Sequence, residues 1–462
     1  MKFQKEKYFG NSDFYKMLFS ISIPIMIQNG ITNFVGLLDN VMIGQIGTQA
    51  MSGVSIVNQI LFVYNLCIFG AVSGAGIFAA QYYGQRNKAG VQYTVRFKFL
   101  LCVVITTLMI LLCLTYGNSL IGLFLNGDGS VQNIQSTLQN GRVYMLVMLF
   151  GLPFFMLTQI YGSTLRACGQ TVLPMKAGII AILINLVLNY VLIYGKFGFP
   201  ALGVAGAAAA TVCSRIVECA IVLITIHVKH AAYDFVEGLY QNFYIPKEVI
   251  YNILRKGTPL LVNETMWGFG MSTLAACYSL HGLHVVGAMN ITNTIGNLFN
   301  IVLIAMGEAV AIIVGQILGT GDMKRAKDTA GKIIFTSLIL CIGVSVIMIL
   351  VAPFFPKLYN TSDEIRRMSS TLITLYAIFI PQNAVMNTCY FTLRSGGKTM
   401  LAFFFDSFYL WCFNIPVAFL LTRFTLLSVF VVFTCVQLAD TIKTILGVVL
   451  VKKGIWLQKI VD

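Results

Sequence analysis

Charge is what this chain has least of. Asp, Glu, Lys and Arg make up 10% of its 462 residues and 57% are hydrophobic, where soluble domains are about 25% charged. That composition excludes a water-soluble globular domain. Histidine is scarce as well: His227, His230, His281 and His284 lie at the ends of apolar runs, and His227-x-x-His230 has no third ligand nearby, so no metal site is expected. The 11 cysteines are scattered through apolar stretches without a C-x-x-C or a cysteine-histidine cluster. They read as small apolar side chains rather than disulfides or metal ligands. No HExxH, Gly-x-Ser-plus-His or aspartate-pair constellation lies in the apolar segments, so the chain is not read as an enzyme and no cofactor is expected. Gly53, Gly70, Gly74 and Gly76 lack the GxxxxGK[ST] pattern and a preceding soluble strand, which leaves close helix packing as their use. The net charge of +14 comes without basic stretches interleaved with stacking aromatics, so no nucleic-acid partner is implied.

What the chain does have is long apolar runs. Windows able to cross about 30 Å as helices lie near 16–43, 52–81, 95–116, 137–161, 173–195, 202–226, 257–280, 286–317, 331–352, 368–391, 400–422 and 425–450. About twelve transmembrane helices make an all-α polytopic membrane protein with both ends on one side. The basic opening precedes an apolar run too long for a signal sequence, so it is read as retained. Most of the 31 Lys and Arg fall in segments on the side of the amino terminus, with Arg215 and Lys443 inside spans. The positive-inside rule then puts both termini in the cytoplasm, with the protein multi-pass in the cell membrane.

The first span carries the polar signal. Gln28, Thr32, Gly36 and Asp39 recur at i, i+4, i+8 and i+11 and share one helical stripe, flanked by Asn29 and Asn33. A carboxylate at membrane depth costs about 2.5 kcal/mol or more on insertion scales. Asp39 is therefore expected in a protein interior or wet cavity, where a carboxyl can exchange a proton or a cation. Glu264 has no basic residue one turn away and is given a functional role on the same ground, while Glu308 either lines a cleft or braces its helix. Arg215 with Glu218 and Asp440 with Lys443 are i, i+3 pairs of structural kind, and Asp406 is placed towards the cytoplasmic rim.

The two halves repeat. Pro24 matches Pro259 at a shift of 235, as do Gly47 with Gly282, Asn58 with Asn293, Gln81 with Gln316 and Gly84 with Gly319. Thr164-Leu165-Arg166, Gly169 and Thr171 match Thr392-Leu393-Arg394, Gly397 and Thr399 at a shift of 228, as Pro153 matches Pro381 and Arg215 matches Lys443. Six spans per half is an even number, so both copies enter the membrane in the same direction and form two parallel-repeat six-helix lobes. The expected division is an amino-terminal lobe at 1–228, a cytoplasmic linker at 229–256 and a carboxy-terminal lobe at 257–462. A cleft between such lobes is the expected substrate path by alternating access. Met156, Tyr161, Trp267, Met271 and Met289, with Gln28, Asn29, Thr32, Asn33 and Glu308, are its candidate lining, since thioethers and aromatic faces suit varied cations.

The run from Pro24 to Asp39-Asn-Val-Met-Ile-Gly44-Gln-Ile-Gly47, the loop Gly84-Gln-Arg-Asn-Lys88, the twin Thr-Leu-Arg-x-x-Gly-x-Thr turns and Asn185-Leu-Val-Leu-Asn189 together resemble the multidrug and toxin extrusion (MATE) family from about residue 16 to 455. The resemblance implies a cation-coupled antiporter that expels organic, often cationic and amphipathic, compounds. It implies an amino-lobe cation site at Asp39, Asn185, Asn189 and Thr211. A carboxy-lobe site in another branch maps to Glu264 and Asn383, where that branch has a second carboxylate. One matching carboxylate per site favours H+ over Na+ as coupling ion, since a hard cation wants several oxygens. The partners expected are a small organic substrate and membrane lipid, with the chain working as a monomer. A lipid-linked precursor flippase of related two-lobe plan is the alternative; it would need several Arg or Lys in its cavity.

Overall fold

The computed structural model describes residues 8–125, 131–359 and 361–461. Their fold is all-α, with no strand among the described residues. Twelve long helices follow the expected windows: α1 Ser12–Gly44, α2 Thr48–Gly84, α3 Lys88–Gly122, α4 Val131–Ala167, α5 Val172–Tyr194, α6 Gly203–Val228, α7 Lys247–Ser279, α8 Leu283–Thr320, α9 Met323–Val351, α10 Asp363–Ser395, α11 Thr399–Phe424 and α12 Val429–Lys453. Among the described residues nine helices are long and apolar enough to cross a membrane. α1, α7 and α10 stand outside that group; in α7 and α10, residues such as Asn263, Glu264, Arg366, Arg367 and Arg394 interrupt the apolar runs. The lipid-facing character shows on α3, where Leu100, Val104, Leu108 and Leu111 form an exposed apolar stripe at i, i+4, i+8 and i+11.

Local chemistry sets the helix ends. Asp322 accepts from Arg325 N at 2.9 Å to start α9, and Ser362 accepts from Ile365 N to start α10, whose first turn carries Asp363 and Glu364. The twin turns share one backbone: Gly169 and Gly397 both take the left-handed conformation, at φ +77° and +71°.

The chain forms two compact units. The amino unit comprises residues 27–79 and 88–253; the carboxy unit comprises 1–26, 80–87 and 254–462. In the amino unit, Tyr64 of α2 is buried and shares a 2.9 Å hydrogen bond with Thr106 of α3. The segment after α6 is part of this unit's fold, since Phe235, Val236 and Leu239 are buried. Arg96 of α3 donates to the carbonyls of Leu239 (3.0 Å), Tyr244 (3.0 Å) and Gly238 (3.3 Å), and Gln92 to those of Phe235 and Glu237. Lys88 pairs with Glu237 at 2.6 Å and holds that carboxyl below its ordinary range. Its contribution is present at neutral pH and is lost as pH falls through the lowered value.

Arg96, Lys98 and Arg394 are basic residues that the sequence reading counted on the side of the amino terminus without assigning them partners. All three are buried in helices, because each finds enough oxygen partners to replace water; Lys98 donates to Ser163 Oγ at 3.0 Å and Thr164 Oγ1 at 3.1 Å. Arg96→Ala is expected to cost about 2 kcal/mol or more, the scale of a hydrogen bond from a charged donor. Lower melting with faster proteolysis after Lys229 is the expected result, and an unchanged melting temperature contradicts the role given to this clamp.

In the carboxy unit α8 is the central element. Ala309, Val310, Val314 and Leu318 share one core with Leu18 and Ile25 of α1, Leu393 of α10 and the fully buried Trp456. The end of α2 crosses α8 here in a reciprocal contact. A Cβ on Gly84 would lie 1.9 Å from Gln316 O, and one on Gly319 would lie 2.0 Å from Gln81 O. These four residues are matched pairs of the repeat, so the duplication brings its own copies together at one crossing.

Candidate functional site

Four side chains from three helices meet in the amino unit. Thr211 of α6 bonds to Asn185 Nδ2 at 3.3 Å, Asn185 Oδ1 accepts from Asn189 Nδ2 at 3.2 Å, and Asn189 Nδ2 donates to Asp39 Oδ1 at 2.6 Å. Asn185 and Asn189 lie one turn apart on α5 and so present adjacent amides to α1 and α6. With both its N–H groups so turned, Asn189 keeps its own Oδ1 buried without a partner. Asp39, Asn189 and Thr211 line a cavity of about 310 Å³. Asn58, Asn65, Tyr144, Phe155 and Arg215 line it as well, and Tyr144 donates to Asn58 at 3.3 Å. Sequence reasoning missed Asn58, Asn65 and Tyr144; the match of Asn58 with Asn293 was the one available signal.

The site offers a carboxylate, a buried carbonyl oxygen, a second amide and a hydroxyl. Such a set can hold a proton on Asp39 or surround a small hard cation. Among the described residues Asp39 forms no ion pair. An amide, not a cation, is what holds it.

The carboxy unit arranges its carboxylates differently. Glu264 Oε1 accepts from Arg394 Nη1 and from Tyr390 OH, both at 3.4 Å. Asn263 bridges Tyr390 OH at 3.0 Å and Asp406 Oδ2 at 3.1 Å, and Asp406 Oδ1 pairs with Lys443 at 2.8 Å. Two π-helical stretches of α11, Phe404–Phe408 and Leu410–Asn414, present these groups. The wider turn lets Ser407 N reach Asn263 Oδ1 at 3.2 Å. Both carboxylates are thus matched by buried cations. Arg215 does pair with Glu218, at 3.0 Å. Lys443 does not pair with Asp440 as the i, i+3 spacing suggested; Asp406, from α11, takes it, while Asp440 accepts from Asn414 at 2.9 Å. Asp406 accordingly sits in the polar network rather than reaching the rim. Asn383 is not joined to Glu264: it lies seven residues before Tyr390 on α10, about 10 Å along the helix, with its Oδ1 buried and unpartnered.

The remaining candidates are dispersed. Gln28 packs beside Gly178 of α5, and Thr32 bonds back to Gln28 O at 2.8 Å. Asn29 is half-buried and Asn33 exposed. Met156 and Tyr161 are core residues of the amino unit, with Tyr161 OH against Tyr240 OH. Trp267 and Met271 are exposed, Met289 packs near Leu274 and Tyr376, and Glu308 is half-buried in α8.

Apolar spans around a polar cavity define a polytopic membrane transporter. The family model described as MatE matches residues 24–191 and 260–420, and the chain belongs to that family of transporters, which are not enzymes. The probable multidrug resistance protein NorM of Thermotoga maritima is 25% identical over 413 residues, covering 88% of this chain and 86% of the relative. The probable multidrug resistance protein YoeA of Bacillus subtilis is 26% identical over 415 residues, covering 88% and 87%. Among solved structures, the outward-facing conformation of a multidrug resistance MATE family transporter matches with TM-score 0.85 at 19% identity over 95% of both chains. A MATE structure in complex with MaL6 matches with TM-score 0.84 at 19% identity over 97% of both. These likenesses show the shared fold.

Proposed function

We propose that the chain is a secondary antiporter of the cell membrane that exports organic, largely cationic amphipathic compounds in exchange for protons by alternating access. It works as a monomer with both termini in the cytoplasm, its duplicated halves 1–228 and 257–462 joined through 229–256. The observation that carries the reading is Asp39: a carboxylate on the wall of a cavity, held by an amide and, among the described residues, in no ion pair. The multidrug resistance names of the relatives support organic substrates. The proton is favoured over sodium because the amino site has one carboxylate, and because Glu264 and Asp406 already have Arg394 and Lys443 as counter-ions. A flippase for pyrophosphate-linked lipids is disfavoured, since Arg215 is the one basic residue among the described residues of the cavity wall.

The test is substrate-induced ion flux in proteoliposomes under an imposed proton and then an imposed sodium gradient. Proton flux coupled to uptake of an organic cation is the expected result. Flux driven by sodium alone contradicts the coupling ion, and no coupled flux under either gradient contradicts the antiporter.

A further inference from the structure

Three cations of the carboxy unit meet at the turn after α10 without a counter-ion among the described residues. Lys256 of α7 is half-buried, and its Nζ donates to the carbonyl oxygen of Gly397 at 3.4 Å, a long bond that leaves the charge unmatched. Lys398 and Arg255 lie near enough to repel that charge. None of the three forms an ion pair among the described residues. The turn itself does not need them. At the matched positions of the repeat the amino-terminal half has Ser20, Ile21 and Gln170, and its own turn takes the same left-handed backbone at Gly169. The surroundings point to what these charges serve. Ser407 Oγ and Trp411 Nε1 of α11 donate to the carbonyls of Asn263 (2.7 Å) and Met266 (3.0 Å) of α7, so the two helices run side by side in one direction, and the same register sets Lys256 level with Met400. Their apolar windows begin at residues 257 and 400, next to Lys256 and Lys398. The three cations therefore sit where the hydrocarbon core gives way to lipid headgroups. From there Met400, Phe404 and Phe408 lead into the membrane as an exposed apolar stripe at i, i+4 and i+8.

We propose that Arg255, Lys256 and Lys398 bind the phosphate of one anionic phospholipid, whose acyl chain lies along Met400, Phe404 and Phe408. The phosphate oxygens accept from ammonium and guanidinium donors that are otherwise unmatched, and a basic pocket beside membrane helices suits an anionic headgroup. A free phosphate meets the same charges but gains nothing from the apolar stripe, which favours the lipid as its source. The inference goes beyond the efflux reading and does not depend on it, since lipid binding is measured without transport.

The test follows lipid binding to the purified full chain in detergent by native mass spectrometry, with phosphatidylglycerol, phosphatidylcholine and inorganic phosphate as probes. Wild type is expected to hold one phosphatidylglycerol more tightly than any phosphatidylcholine, and an excess of inorganic phosphate is expected not to displace it. Arg255→Gln/Lys256→Gln/Lys398→Gln is expected to weaken that lipid on the order of a hundredfold, about fivefold for each charge removed at the membrane surface. The control Lys324→Gln/Lys452→Gln/Lys453→Gln removes the same charge from exposed positions elsewhere in the carboxy unit and should bind as wild type does. Lys256→Arg/Lys398→Arg keeps the charges and should retain the lipid, which separates loss of charge from loss of fold. Equal binding of the two lipids by wild type, or a loss in the control or in the arginine variant as large as in the first triple variant, overturns the site. Displacement of phosphatidylglycerol by inorganic phosphate overturns the lipid as its occupant.

Discussion

Asp39→Asn is expected to bring proton-driven efflux down to the level of empty vesicles while the protein still folds. The amide has the size of the carboxyl, and its oxygen still accepts from Asn189 Nδ2, the bond that measures 2.6 Å in the native chain. The cavity wall therefore keeps its shape. What is lost is the group that can take up and release a proton, and with it the negative charge facing a cationic substrate. A neighbour cannot take over, because Asn185, Asn189 and Thr211 do not titrate and Glu218 is engaged by Arg215. Size-exclusion behaviour and melting near those of wild type, together with flat efflux traces, are the expected pair of results. Wild-type efflux by Asp39→Asn would assign the coupling elsewhere, with Glu264 the next carboxylate to replace.

The largest effect on stability is expected at the crossing of α2 and α8. In Gly84→Ala the new methyl group meets the carbonyl oxygen of Gln316 at 1.9 Å and its carbonyl carbon at 2.8 Å. Both are backbone atoms of a central, buried helix, so no rotamer change relieves the clash and the helices must part. Overpacking of a core costs about 1–3 kcal/mol, occasionally more, and an obstacle made of backbone belongs at or above the top of that range. Gly319→Ala repeats the clash against Gln81 O at 2.0 Å and is expected to be as damaging. Gly331→Ala on α9, with nothing within 4 Å of its Cβ, is the control and should be neutral or slightly stabilising. Melting of the three variants in detergent decides the matter; a Gly84→Ala protein as stable as Gly331→Ala would mean the helices do not pack this closely.

The helices, their number and the duplication were legible in the sequence, since each rests on apolar length or on matched residues a fixed distance apart. The amino site was legible in part: the resemblance brought Asp39, Asn185, Asn189 and Thr211 forward, and the structure joins them by hydrogen bonds. Asn58, Asn65 and Tyr144 were not legible, because a single polar residue in an apolar helix does not say which neighbour it faces. The carboxy unit was hidden for a different reason. The pairs Glu264 with Arg394 and Asp406 with Lys443 join residues far apart in the chain, and local spacing pointed Lys443 to Asp440 instead. The π-helical turns that carry Asp406 and Asn414 into place leave no mark in periodicity. Arg394 gave no sign of its partners because it stands beside a polar turn, although its guanidinium points back to Tyr390 and Glu264.

The composition of the carboxy unit sets a timetable for synthesis. Residues 1–26 and 80–87 belong to a unit whose other members begin at Leu254, and Leu18 and Ile25 share a core with Leu393 and Trp456. At about 5–20 residues per second, the first helix emerges tens of seconds before the partners of its opening turns exist. During that interval its apolar face has to be shielded by lipid or by the insertion machinery, so slowed translation between α2 and α7 should lengthen the exposure and lower the yield of folded protein.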